Sequence, residues 1–208
     1  MKTTNFCYIL YNLNMKNKHF IIAQFLIYVT FITLDLLHID STYIKYLGII
    51  LCFGYALLSK KKYRTIAMAF TLIADFFLLV LNKYYEIGLI SFIIVQFIYY
   101  YFLGNYDKGY FNMFLLIRGF IIICGSIILY TCKSLTLINE LVLFYFSNLV
   151  LNAIQAYLTS NKILAIGLTL FVCCDICVGL HNINAAYTLA TFLMWVFYLP
   201  SQILIVIA

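Results

Sequence analysis

The chain has 208 residues, of which 66% are hydrophobic and 10% charged, with a single proline; its mean hydropathy is +1.04. Too few polar residues remain to cover a soluble globule, and about eight apolar segments of membrane-crossing length leave no room for a soluble domain. The composition therefore gives an all-α, polytopic membrane protein, in which the net charge of +6 concerns topology rather than nucleic acid.

The first residues, MKTTNFCYILYNLN, hold a brief apolar run before a second methionine, Met15, with Lys16 and Lys18. Residues 1–18 read as a cytoplasmic tail, or in part as an extension upstream of a start at Met15. The apolar run is too short for a cleavable signal peptide, and no small-residue cleavage site follows it. Eight helices are then predicted, over His19 to Leu37, Tyr43 to Leu58, Thr65 to Asn82, Glu86 to Leu103, Phe111 to Thr131, Leu137 to Leu158, Lys162 to His181 and Ala185 to Ile207. They make one transmembrane domain over residues 19–208.

Positive charges fall mostly on one side of this arrangement. Lys2, Lys16, Lys18, Lys60, Lys61, Lys62, Arg64, Lys108, Arg118 and Lys162 stand against Lys45, Lys83 and Lys133. The positive-inside rule then places both termini in the cytoplasm. Lys60, Lys61, Lys62 and Arg64 form a cytoplasmic basic cluster, and Arg118 is placed so that it can snorkel to the same surface. Heavy use of Ile, Phe, Tyr, Asn and Lys fits an AT-rich coding sequence and a bacterial plasma membrane.

Two carboxyl groups interrupt the apolar pattern. Asp75 sits in TLIADFFLLVLN and Asp175 in LTLFVCCDICVGLHN, each near the middle of its helix, where an acidic side chain costs about 2.5 to 3.5 kcal/mol to insert. Seven residues after each comes an asparagine, Asn82 and Asn182, two helical turns on and so on the same face. The two stripes, on helices running in the same direction, resemble a four-plus-four internal duplication about an axis along the membrane normal.

Other polar groups are arranged to join a site with them. Tyr145, Asn148, Asn152 and Gln155 form one stripe on the sixth helix, which must face the bundle because lipid cannot satisfy an amide. Interhelical hydrogen bonding and a cavity wall are equally good readings of it. The fourth helix offers Gln96, Tyr99 and Tyr100. The eighth offers Tyr198 and Gln202 on either side of Pro200, which should kink that helix. Seven cysteines in mostly apolar segments make no disulfide framework. Cys173, Cys174 and Cys177 form a lone C-x-x-C within an apolar helix, and His19, His38 and His181 are scattered at helix ends, so no metal site is assigned.

Neighbouring carboxyls that share a low-dielectric interior divide the roles of acid and base between them, the arrangement glycosidases use around an oxocarbenium-like state. The same pair equally suits proton-coupled transport, since mid-membrane carboxylates relay protons in transporters.

Three stretches resemble the YhhN family of membrane lysoplasmalogenases. ADFFLLVLNKYYEIGLISFIIVQFIYY is similar to its first signature, AIGLTLFVCCDICVGL to its second, and FYLPSQILI to its closing Tyr-x-x-x-Gln-x-LI motif. The order and spacing agree from the second helix onward. Ala74 stands where the family has Gly, Cys174 where it has Ser, and Gln96 where it has His. The resemblance implies hydrolysis of the vinyl-ether bond of lysoplasmalogen, with Asp75 and Asp175 as general acid and base. Tyr198 and Gln202 of the closing motif would orient water or head group, while the polar stripes themselves offer Gln96, Tyr100, Asn82, Asn182, Asn148 and Asn152 to line the substrate site. No cofactor and no protein partner are implied; the substrate is a membrane lysophospholipid, with the bilayer as medium.

Overall fold

A computed structural model describes residues 15–59, 61–105, 108–159, 161–183 and 188–208. Among these residues every regular element is helical. Helices α1 (Met15–Leu36), α2 (Thr42–Leu58), α3 (Lys62–Asp75), α4 (Tyr85–Gly104), α5 (Lys108–Thr131), α6 (Leu137–Leu158), α7 (Lys162–Ile183) and α8 (Thr188–Ile207) correspond one for one to the eight predicted, and a π-helical segment, Phe76–Val80, extends α3. Seven are long and apolar enough to cross a membrane once α3 is taken with its π extension, and α2 is the shorter eighth. The chain is a multi-pass membrane protein. Of the expected tail at residues 1–18, residues 1–14 lie outside the described residues, and the last four are helical instead, because α1 starts at Met15, one turn before the expected boundary.

Six helices close into a ring, packing in the order α2, α3, α4, α6, α7, α8 and back to α2. Helix α1 lies outside the ring against α2 and α8, and α5 lies outside it against α6 and, more lightly, α4. Advancing every helix by four maps this pattern onto itself, which is the four-plus-four arrangement expected from the Asp/Asn spacing. Leu58 and Leu158 end corresponding helices, Lys62 and Lys162 begin the next, and Asp75 and Asp175 occupy corresponding places in them. In that ring α3 and α7 stand opposite each other, so the two aspartates approach the interior from opposing walls.

Polar contacts pin the ends of the bundle. The Tyr55 hydroxyl donates to Asn17 Oδ1 at 2.5 Å, and Arg64 Nη1 donates to the carbonyls of Val206 and Ile207 at 3.1 and 3.4 Å. The start of α1 and the end of α8 therefore share one end of the bundle. Arg64 belongs to no solvated basic cluster: it is buried, because the last carbonyls of α8 have no helical partner and carry the negative end of the helix dipole. At the other end Lys45 forms an ion pair with Asp35 at 2.9 Å and lies over the Trp195 ring. Asp40, in the loop before α2, accepts from the Thr42 N–H at 3.0 Å, and its bonds to Thr42 hold its carboxyl below the usual carboxylate range.

Two local irregularities shape the interior. Pro200 lies within α8 and has no N–H for the carbonyl of Val196; the Tyr28 hydroxyl of α1 reaches that carbonyl at 3.3 Å. The π segment follows Asp75 directly, with the Leu81 N–H on the Phe76 carbonyl at 2.9 Å. Such insertions widen a helix and re-aim its side chains. A Cβ at Gly88 of α4 would lie 2.5 Å from Leu78 Cγ, so the absence of a side chain there lets the π segment pack close.

Candidate functional site

Asp75 closes the regular part of α3 and is buried. Its Oδ2 accepts the hydroxyl of Tyr198, from α8, at 2.7 Å. Asp175 is half-buried on α7, and its Oδ2 accepts the hydroxyl of Tyr145, from α6, at 2.6 Å. Both distances are those of charge-assisted O–H···O bonds.

An aromatic lining surrounds the pair. Phe171, one turn before Asp175 on α7, packs edge-on against Tyr198 at 5.3 Å and against Tyr145 at 6.3 Å between centroids. Phe92 of α4 sits 5.5 Å from both Tyr145 and Phe171, and Trp195 packs 5.3 Å from Tyr198. These rings bring apolar surface to the carboxylates and leave the tyrosine hydroxyls as their nearby polar partners. A low-dielectric setting of this kind strengthens every electrostatic interaction within it.

The amide stripe of α6 faces inward as expected, with Tyr145, Asn148, Asn152 and Gln155 all buried. What it holds is Arg118. The guanidinium donates from Nη1 to Asn148 Oδ1 at 2.5 Å and from Nη2 to Asn152 Oδ1 at 2.7 Å and Gln155 Oε1 at 3.3 Å, and its face lies 4.1 Å over the Tyr100 ring. Asn152 Nδ2 in turn donates to the backbone carbonyl and Oε1 of Gln96 at 2.8 and 2.9 Å. Snorkelling is thereby corrected. Arg118 lies ten residues into α5, roughly 15 Å along the axis, and is only 4% exposed, because three amide oxygens and a ring face solvate it in place. The sequence carried a signal for this: a basic residue in an apolar helix beside a helix bearing three aligned amides.

The two asparagines paired with the aspartates in sequence do not join them. The regular helix stops at the π segment, and Asn82 lies beyond it, exposed, with a φ of 48°; its Oδ1 accepts from the nearby Tyr85 hydroxyl. The extra residue per turn of a π segment breaks the two-turn register on which the shared face depended. Asn182 stays in α7 but is exposed near its end. Gln202 is buried, and its Nε2 is 3.4 Å from Ser201 Oγ. Among the described residues Cys173, Cys174 and Cys177 are free thiols.

A model of the YhhN family matches residues 41–208. The chain belongs to the YhhN family. The match spans α2 to α8 and so takes in both aspartates, both tyrosines that bind them and Arg118. Comparison with curated proteins and with solved structures finds no match. Ala74, Cys174 and Gln96, singled out within the motif-like stretches of the sequence, are all buried. Gln96 acts as an acceptor, its backbone and side-chain oxygens taking the Asn152 amide.

Proposed function

We propose that this YhhN protein is a membrane-embedded hydrolase that cleaves the vinyl-ether bond of lysoplasmalogen to a fatty aldehyde and a glycerophospho-base. The observation that carries the reading is the pair of carboxyls from opposing helices, each fixed by a tyrosine hydroxyl within one aromatic enclosure. One carboxyl gives its proton to the vinyl carbon remote from the ether oxygen, producing an oxocarbenium ion at the carbon that bears the oxygen. The other, as carboxylate, takes a proton from a water that adds to the cationic carbon. The hemiacetal so formed collapses, the C–O bond to glycerol breaks, and the glycerol oxygen leaves with a proton. No electrons are exchanged and no cofactor is required by the balance.

Tyr198 and Tyr145 orient the two carboxyls, and the hydroxyl on the carboxyl that acts as base stabilises its ionised form through a charge-assisted bond. The aromatic walls suit the alkenyl chain, which can enter such a site only from an apolar phase. A bacterial plasma membrane is the compartment this reading assigns.

The test is aldehyde release from lysoplasmalogen by the purified full chain in detergent, beside Asp75→Asn and Asp175→Asn variants. The expected outcome is turnover by the parent and a fall of about a hundredfold or more in each variant, with helical circular dichroism unchanged. A well-folded parent that releases no aldehyde, yet takes up solute into vesicles when a pH gradient is imposed, would replace the hydrolase with a proton-coupled transporter using the same aspartates.

A further inference from the structure

Arg118 stands apart from the aspartate chemistry, and its surroundings are unbalanced. Among the described residues no carboxylate lies within ion-pair distance of it. The atoms left without partners around it are all donors: Arg118 Nε, Gln96 Nε2 and Gln155 Nε2 are buried and accept nothing and give nothing, on side chains that are 4%, 0% and 0% exposed. The three belong to one network, since Gln96 is tied to Asn152, and Asn152 and Gln155 both hold Arg118. A buried positive charge together with surplus N–H donors is complementary to an anion.

Packing alone does not call for an arginine here. At the corresponding place in the first half of the chain, Gln24 of α1 reaches across to α2, donating to the Gly48 carbonyl at 2.8 Å and to Cys52 Sγ at 3.2 Å. Gly48 and Cys52 hold the places on α2 that Asn148 and Asn152 hold on α6. A neutral amide therefore serves the same helix–helix contact in one half, while the other half carries a charge and three amides.

The position of the cluster is informative. Tyr145, which holds Asp175, and Asn148 and Asn152, which hold Arg118, lie on one face of α6 three and seven residues apart. That separates the two groups by roughly 5 to 10 Å along the helix, of the same order as the glycerol unit that separates an sn-1 ether from a phosphate.

We infer that the Arg118 cluster is an anion subsite that takes the phosphate of the lysophospholipid while its ether lies between the aspartates. The inference rests on the hydrolase reading for the identity of the lipid, but not for the existence of the anion site. Phosphate is recognised by the guanidinium Nε and by the Gln96 and Gln155 amides, with the amide oxygens of α6 keeping the guanidinium in place.

The experiment is a set of calorimetric titrations of the full chain in a phosphate-free nonionic detergent. The probes are an alkyl lysophospholipid, whose saturated ether cannot be cleaved, the alkylglycerol of the same chain length, and inorganic phosphate. The parent should bind the lysophospholipid about tenfold or more tightly than the alkylglycerol, the worth of a charge-assisted bond. Arg118→Gln should erase that ratio while leaving alkylglycerol affinity unchanged. Should that variant fail to fold, Gln155→Leu, which removes one unpartnered donor and keeps the charge, must narrow the ratio. Equal binding of the two lipids by the parent overturns the lipid-phosphate assignment; if inorganic phosphate binds nonetheless, the cluster is a site for free phosphate, and if it does not, no anion site exists. Discrimination between the lipids without aldehyde release would remove the hydrolase reading and leave this one intact, whereas aldehyde release without discrimination would do the reverse.

Discussion

On α2, Gly48 and Cys52 receive the amide of Gln24 from α1; at the matching places on α6, Asn148 and Asn152 receive the guanidinium of Arg118 from α5. The helix pairs are equivalent, each setting an outer helix against one of the ring, and the contacts fall at matching places on the ring helix, yet one is neutral and compact and the other is charged and rich in donors. The aspartates show the same departure from symmetry. Strict duplication would give Asp75 and Asp175 their hydroxyls from matching helices, whereas Asp75 takes Tyr198 from α8 and Asp175 takes Tyr145 from α6. A repeated backbone thus supplies two equivalent frames, and side-chain differences turn the pair into one asymmetric site. That asymmetry is what acid/base chemistry needs, because the two carboxyls must do different things.

Deleting each crossing side chain separates the two helix pairs most sharply. Arg118→Leu leaves three amide oxygens without their donor, and each buried acceptor stranded in this way costs about 1 to 3 kcal/mol. Gln24→Leu removes a neutral contact and costs about 1 kcal/mol. Thermal unfolding in detergent compares them directly, and equal losses would mean the two contacts are only packing.

Next comes the π segment, which has no counterpart in α7. Gly88→Ala sets a methyl group against Leu78, and overpacking of this kind costs about 1 to 3 kcal/mol. Gly54→Ala, where a Cβ meets nothing within 4 Å, is the control and should be silent. Because Leu78 lies in the segment that follows Asp75, Gly88→Ala should also reduce turnover more than its stability loss explains.

At the aspartates the expected change is smaller. Tyr198→Phe and Tyr145→Phe each remove one hydroxyl bonded to a carboxylate and should lower turnover by about tenfold, close to 1.4 kcal/mol. Measuring kcat against pH for the two variants tells the partners apart: the acid limb should move in one and the base limb in the other. Identical profiles would show that the carboxyls are interchangeable.

Smallest is the mending of α8. Tyr28→Phe strands the Val196 carbonyl and should cost about 1 kcal/mol. In a Pro200→Ala background the helix supplies its own N–H, and the cost of Tyr28→Phe should vanish. A double-mutant cycle in thermal stability reads this coupling, and additive losses would separate Tyr28 from the proline.

Much of this molecule was written in composition and period. Apolar runs divided by Lys-rich and Asn-rich turns specify eight helices, because a chain without enough polar surface must satisfy its backbone internally and does so most simply as helices. The cost of a mid-membrane carboxyl marked Asp75 and Asp175, and the inward stripe of α6 followed from the spacing of its amides. Motif spacing was enough to indicate the family, which the match over residues 41–208 bears out.

Tertiary structure decided what period cannot encode. The π segment after Asp75 depends on Leu78 finding Gly88 on another helix, and it removed Asn82 from the face that an unbroken helix would have given it. Arg118 turned inward because amides from α6 were there to receive it, and Arg64 because the end of α8 offered open carbonyls. In each case a side chain had a choice between lipid head group, water and protein. The choice was settled by partners far away in the chain, whose proximity exists only once the ring has closed.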